Sequence, residues 1–271
     1  MTVSEVPARD GGELASDSAR VLVSIVVPVY NEARLLPGLL NALLRCCGDA
    51  PRTEIVISEN GSTDGSSALC AAYAAQHDAV VLVCSPVASY GAALVRGICV
   101  ARGDVAVIIN ADLWSEEFYA ASLALLDRGA DVIVGSKRLV PSLDHRSAIR
   151  RFITWAFNGV LRWAFGFKGT DTHGLKAFRT ERLRPLIGAC TTARELFDTE
   201  LMLRAQYAGL RVVELPIEVN DTRPARLSLV RRVLPTLIDL AILFVTLRPQ
   251  LRREPSPARP IPAHEPLHGR S

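Results

Sequence analysis

The sequence has little of what marks several protein classes. Its six cysteines (Cys46, Cys47, Cys70, Cys84, Cys99, Cys190) form no Cys-x-x-Cys pair, and most lie in apolar runs. There a reduced thiol packs as a small hydrophobe, which argues against a disulfide framework and for a reducing, cytoplasmic setting. The net charge is only +3, too small to suggest a nucleic-acid binder. The first twenty residues contain no apolar stretch of the kind a signal peptide carries. No internal repeat is evident.

What is present fits a folded chain. Hydrophobic residues make up 49% of 271, too many for disorder and enough to bury a sizeable core in one α/β domain. The expected organisation is a flexible tail over 1–20, a main domain over 21–228, an amphipathic or apolar helix over 229–249, and a Pro-rich, extended tail over 250–271.

Apolar, β-branched runs at Arg20–Val29, Glu54–Ser58, Val80–Cys84 and Asp104–Asn110 read as strands. Helical patterns at Ala33–Cys46, Ser66–His77 and Tyr90–Arg102 fall between them. This alternation predicts a Rossmann-like α/β domain whose sheet is mainly parallel and covered on both faces. Such sheets bind ligands beyond the carboxyl ends of their strands. Three polar clusters sit there: PVYNE (Pro28–Glu32), ENGSTDG (Glu59–Gly65) and NADLWSEE from Asn110. One would be an ordinary polar turn; three at successive strand ends make a site.

These motifs, in this order, resemble the nucleotide-sugar-binding half of the inverting family-2 glycosyltransferases, whose fold is of the GT-A type. GSKR (Gly135–Arg138), IRRFITWAFN (Ile149–Asn158), DTHGLKAFR (Asp171–Arg179), the segment Phe197–Val219 and the stretch from Arg223 resemble one branch, the dolichol-phosphate and polyprenol-phosphate mannosyl- and glucosyltransferases. The resemblance runs from about Val21 to Leu247. It implies a hexose transferase that takes a GDP- or UDP-sugar, with Mg²⁺ or Mn²⁺, and a polyprenyl phosphate acceptor.

The residues can be read beside that resemblance. Tyr30 offers a ring face, and Glu32, Glu59 and Asn60 offer hydrogen-bond acceptors to a nucleoside. With Pro28 they form the expected donor-binding set, to which the resemblance adds Arg223, whose guanidinium fork suits phosphate oxygens. The family's aspartates at the second cluster are here Glu59 and Asn60, while Asp64 and Gly65 read as structural, at a helix N-terminus. The family's metal-holding Asp-x-Asp is here Asn110 and Asp112, an amide and a carboxylate oxygen for a hard cation, and Trp114 stands where close relatives have another oxygen. Near Arg223 the match keeps Ser228 but has Arg226 for glycine and Leu229 for lysine.

Lys137 and Arg150 fall at the branch's two basic acceptor positions. A phosphate acceptor is already anionic and needs positioning and charge neutralisation. A hydroxyl acceptor needs a carboxylate base, for which Asp198 and Glu200 are the candidates and Asp171 a weaker one. Glu200 can equally pair with Arg204 at i,i+4, Asp171 can cap a loop, and His173 can neighbour a metal or phosphate or be structural. Asp112, Lys137, Arg150 and Glu200 form the expected catalytic set.

Six of sixteen aromatic residues fall between Phe152 and Phe167, flanked by Arg150, Arg151 and Lys168. Rings with basic neighbours suit a bilayer headgroup region or a core-packing helix equally. Val233–Leu247 spans roughly 22 Å as a helix, short of the ~30 Å hydrocarbon core. It is expected to lie at the cytoplasmic membrane face, or to contact a second copy or a partner subunit. The rival functions are a family-2 transferase using a hydroxyl acceptor and a catalytically silent nucleotide-sugar binder.

Overall fold

The structure is a computed structural model that describes residues 23–47, 52–192, 196–219 and 229–253. The first four strands and three helices fall where the apolar pattern places them. They are β1 (Val23–Val29), α1 (Leu36–Cys47), β2 (Thr53–Asn60), α2 (Ser66–Gln76), β3 (Val80–Ser85), α3 (Tyr90–Val100) and β4 (Val105–Ile108). Then come α4 (Glu116–Asp127), β5 (Val132–Ser136), α5 (Ala148–Phe165), β6 (Lys176–Arg179), α6 (Thr180–Ala189), α7 (Phe197–Tyr207), β7 (Val212–Pro216) and α8 (Leu229–Arg253).

The strands form one seven-stranded sheet in the order β3-β2-β1-β4-β6-β5-β7. All pairings are parallel except those of β6, which runs antiparallel between β4 and β5. β1 takes β2 on one side and β4 on the other, so the chain reverses its direction of travel across the sheet at the β1/β4 crevice.

Alternation along β1 explains the two cores. Ile25, Val27 and Val29 join Leu40, Cys70 and Phe118 on one face. Val26 joins Leu94, Phe178, Phe197 and Leu243 on the other. Each such side chain contributes roughly 1.5–3 kcal/mol when fully buried. A Cβ at Gly97 would meet Val26 Cγ1 at 2.6 Å, so glycine is what lets α3 lie directly on β1.

The late helix differs from the interfacial helix expected over 229–249. It runs on to Arg253 and buries Leu240, Leu243 and Leu247 in the core, while Ile238, Ile242 and Val245 are exposed. The Phe165 and Phe244 rings meet edge to face at 5.7 Å, and Arg248 lies over the Phe244 ring. A leucine every three or four residues gives the helix a core-facing stripe as well as an outer one. No helix among the described residues is long and apolar enough to cross a membrane.

The aromatic run of α5 also divides. Phe165 is in the core, as is Phe167 just beyond the helix, whereas Ile149, Phe152, Trp155, Val160 and Trp163 are exposed, Trp163 at 84%. At 100° per residue these five share one face of the helix.

Candidate functional site

A cavity of about 620 Å³ opens over the C-terminal ends of the strands, at the β1/β4 crevice. Its size suits a small-molecule ligand, for which about 300–1,000 Å³ is usual. Following the sheet order, the wall passes from Asn60 at the end of β2, through Pro28 near the end of β1 and Tyr30 and Glu32 after it, to Asn110 and Asp112 after β4. It continues to His173 and Gly174 before β6 and Lys137 after β5, with Arg146, Arg150 and Asp198 completing it.

The first two polar clusters fold as a pair of interlocked turns. Asn31 adopts the left-handed conformation (φ 55°), which its short polar side chain tolerates. Its Oδ1 accepts from the Thr63 amide at 2.7 Å and its own amide donates to Ser62 Oγ at 3.0 Å. Asp64 accepts from the Ala33 and Ser66 amides, both at 3.1 Å, so it is structural as expected. Burial pushes the Asp64 carboxyl up, but the hydrogen bonds from Ser66 and Ala33 outweigh it and hold the group below the usual aspartate range.

Glu59 and Asn60 part company. A strand sends successive side chains to opposite faces, and here only Asn60 reaches the cavity wall. Glu59 turns into its own loop, where Oε1 accepts from the Ser62 amide at 2.6 Å. Burial raises its pKa, and the hydrogen bonds from Ser62 and its neighbours overcome that and leave it lowered.

Asp112 is exposed on the wall beside Asn110, whose carbonyl accepts from the Leu113 amide at 3.0 Å and closes the turn after β4. Trp114 is outside the lining and packs on Tyr119, ring centroids 5.7 Å apart. Among the described residues no cluster of three or more His, Cys, Asp or Glu side chains is placed to hold a metal. One exposed carboxylate and one amide oxygen nonetheless fit a hard cation that keeps several waters and shares substrate phosphates.

Cationic side chains converge from three segments. Lys137, in the turn after β5, lies 3.7 Å from Asp171 Oδ2. Arg150 is in the first turn of α5. Arg146, which sequence reasoning passed over, joins them on the wall. Its Nε and Nη2 both donate to the Asp144 carboxylate at 2.8 Å. Burial raises the Asp144 pKa, but the Arg146 guanidinium prevails and keeps it low. The available signal was a carboxylate two residues before an arginine at a helix start. Asp171 caps its loop by accepting from the His173 amide at 2.9 Å, and His173 packs edge-on against Phe157.

The two α7 carboxylates have different surroundings. Glu200 is 0% exposed and outside the cavity lining. It accepts from the Thr191 and Thr192 amides and from Arg204 Nε (2.9 Å) and Nη2 (2.7 Å). Burial lifts its pKa, yet the Thr192, Thr191 and Arg204 bonds outweigh it and depress the group. The structure therefore places Glu200 as an anchor for Thr191 and Thr192, just beyond α6, and does not bring it to the other candidate catalytic residues. Asp198 does line the cavity; Lys176 Nζ is 3.1 Å from its Oδ1 and the Tyr90 hydroxyl donates to its Oδ2 at 3.1 Å. Lys176 and Tyr90 went unread in the sequence, although a lysine inside the apolar GLKAF run signals a buried partner. Arg223, Arg226 and Ser228 lie outside the described residues.

Comparison with known proteins gives this geometry a context. The family model described as Glycosyl transferase family 2 matches residues 24–183, more than half of the chain. Glycosyltransferase AglD of Haloferax volcanii is 28% identical over 248 residues, 88% of this chain but 40% of that protein, so the chain spans less than half of this relative's length. Dolichyl-phosphate beta-glucosyltransferase ALG5C of Trichomonas vaginalis is 27% identical over 246 residues, 83% of this chain and 72% of that one. Among solved structures, mannosyltransferase PcManGT from Pyrobaculum calidifontis, in complex with GDP-Man and Mn²⁺, matches with a TM-score of 0.55 at 23% identity. That match covers 75% of this chain and 58% of the other, and it is a likeness of fold.

Proposed function

The chain belongs to glycosyl transferase family 2 and is a glycosyltransferase of GT-A fold, and from that premise we propose that it moves a hexose from a GDP- or UDP-sugar to a polyprenyl phosphate. The observation that carries this reading is the convergence of Lys137, Arg146 and Arg150 on one cavity wall, next to the start of α5 and its exposed aromatic face. A phosphate monoester is held by such cations through charge, and its oxygen is nucleophilic without a base. The similarity to a dolichyl-phosphate glucosyltransferase supports the same acceptor class.

In this mechanism the nucleoside rests against Tyr30 and Asn60, and the diphosphate lies toward Asn110 and Asp112. These two residues would hold Mg²⁺ or Mn²⁺, which when bound would supply charge neutralisation for the diphosphate leaving group. Lys137, Arg146 and Arg150 orient the acceptor phosphate so that its oxygen meets the anomeric carbon opposite the leaving group. The new C–O bond forms as the bond to the nucleoside diphosphate breaks, inverting the centre. The protein works on the cytoplasmic face of a membrane, with the exposed row of α5 against the headgroups.

Asp198 favours a second reading, because it is a carboxylate on the cavity wall of the kind a hydroxyl acceptor would need. Incubation with labelled nucleotide sugar and polyprenyl phosphate separates the two. An organic-extractable, mild-acid-labile product is expected; label appearing only in water-soluble glycosides would defeat the lipid-phosphate reading.

A further inference from the structure

Asn60 is 4% exposed and lines the cavity, so the direction in which its amide points decides what a ligand meets there. Two groups converge on its Oδ1: the Ser89 amide N–H at 2.9 Å and Arg96 Nη2 at 3.3 Å. Neither a backbone N–H nor a guanidinium can accept a hydrogen bond. Both therefore require the amide oxygen, and a flipped amide would set donor against donor. The orientation is fixed by chemistry. The Nδ2 group, which makes no hydrogen bond within the described residues, is the end left to the cavity.

Arg96 is poorly placed to serve any other purpose. It is half-buried in α3, its Nε is buried without a hydrogen-bond partner, and its described hydrogen bond goes to Asn60. A desolvated donor left unmade costs stability, so this arginine is a weak structural choice. Its clear product is the fixed amide.

We propose that Arg96 and Asn60 form a specificity device in which the donor's base is read through a keto oxygen. Uracil and guanine offer such an oxygen to an N–H donor; cytosine and adenine carry an amino group at the matching place and would set donor against donor. The inference rests on the reading of this cavity as a nucleotide-sugar site. It differs from recognition by a carboxylate, which would accept from the ring N–H of the same two bases.

The test is calorimetric titration of the full chain with UDP, GDP, CDP and ADP in the presence of Mg²⁺. The wild type is expected to bind UDP or GDP more tightly than CDP and ADP. In Asn60→Asp one carboxylate oxygen keeps Arg96 and Ser89, and the other turns an acceptor toward the base. The preference for keto over amino bases should then fall by about tenfold or more, the scale set by an unpaired buried polar group. Arg96→Met leaves the Ser89 amide on Oδ1, so the Asn60 side chain is held less firmly and the preference should narrow, while affinity for inorganic pyrophosphate stays as in the wild type. Thermal melting monitors the fold of both variants. Tighter binding of UDP or GDP by Asn60→Asp, or an unchanged preference in both variants, overturns the inference and leaves the nucleotide-sugar reading standing. If the wild type binds none of the four nucleotides, both fall together.

Discussion

Lys176 Nζ lies 3.1 Å from Asp198 Oδ1, and the lysine is 1% exposed. The Gly174 carbonyl takes a further bond from the same ammonium at 3.2 Å, so one buried charge ties β6 to α7 and to the loop on the cavity wall. Removing one partner of such a pair strands the other charge in a dry site. Lys176→Met should therefore destabilise the fold by about 3–5 kcal/mol, and the double variant Lys176→Met/Asp198→Asn should recover a large part of it. Urea unfolding of the three proteins measures this. Equal stability of wild type and Lys176→Met would mean the pair is not closed in solution.

The acceptor reading makes charge the property that matters at position 137. Lys137→Arg should keep transfer, whereas Lys137→Ala and Arg150→Ala should each lose it by about 10- to 100-fold, the scale of a charged hydrogen bond. Hydrolysis of the donor by water should stay near the wild-type rate, since water needs no phosphate clamp. Indifference at both cations, with severe loss in Asp198→Asn, would select the hydroxyl mechanism instead.

The metal reading turns on Asp112. Asp112→Ala should abolish transfer, and Asn110→Asp should retain or raise it while lowering the Mn²⁺ concentration needed for half-maximal rate, because a charged oxygen binds a hard cation better. Activity assays across a metal titration test both. Full transfer by Asp112→Ala would remove this site from the mechanism.

The two late helices should respond differently to change. Replacing Phe152, Trp155 and Trp163 together by Gln alters only exposed positions, so the melting temperature should hold while cosedimentation with anionic vesicles falls. Deleting the chain from Val233 removes Leu240, Leu243 and Leu247 from the core and should cost stability outright. Vesicle binding that survives the triple replacement would place the membrane contact elsewhere.

Much of this architecture was legible because its signals are local. The first four strands are continuous apolar runs separated by helical periods, and each polar cluster sits where a strand stops. The interlocked turns were half legible: Asp64 was read as structural, but nothing in the letters Glu-Asn says which of the two faces the cavity. The pleat decides that. Arg146 was passed over despite a partner two residues away, whereas the unread Lys176, Tyr90 and Arg96 have partners remote in sequence. Tyr90 meets Asp198 across 108 positions, and Arg96 meets Asn60 across 36. Glu200 misled for another reason: its i,i+4 arginine was visible, but the two threonine amides that complete its shell come from Thr191 and Thr192, just beyond α6.

The reversed strand has a consequence for where this protein can change length. Six strands run one way and deliver their loops to the cavity as the chain departs from the sheet. β6 runs the other way, with Lys176 beside Ile108 and Arg179 beside Val105, so the cavity is served by the chain on its way in. The residues that matter there, Asp171 to Gly174, are already in place before the strand begins. An insertion just ahead of β6 would be transmitted to the reacting groups. One of the same size following Arg179 would emerge at the opposite rim, a full strand length from any substrate.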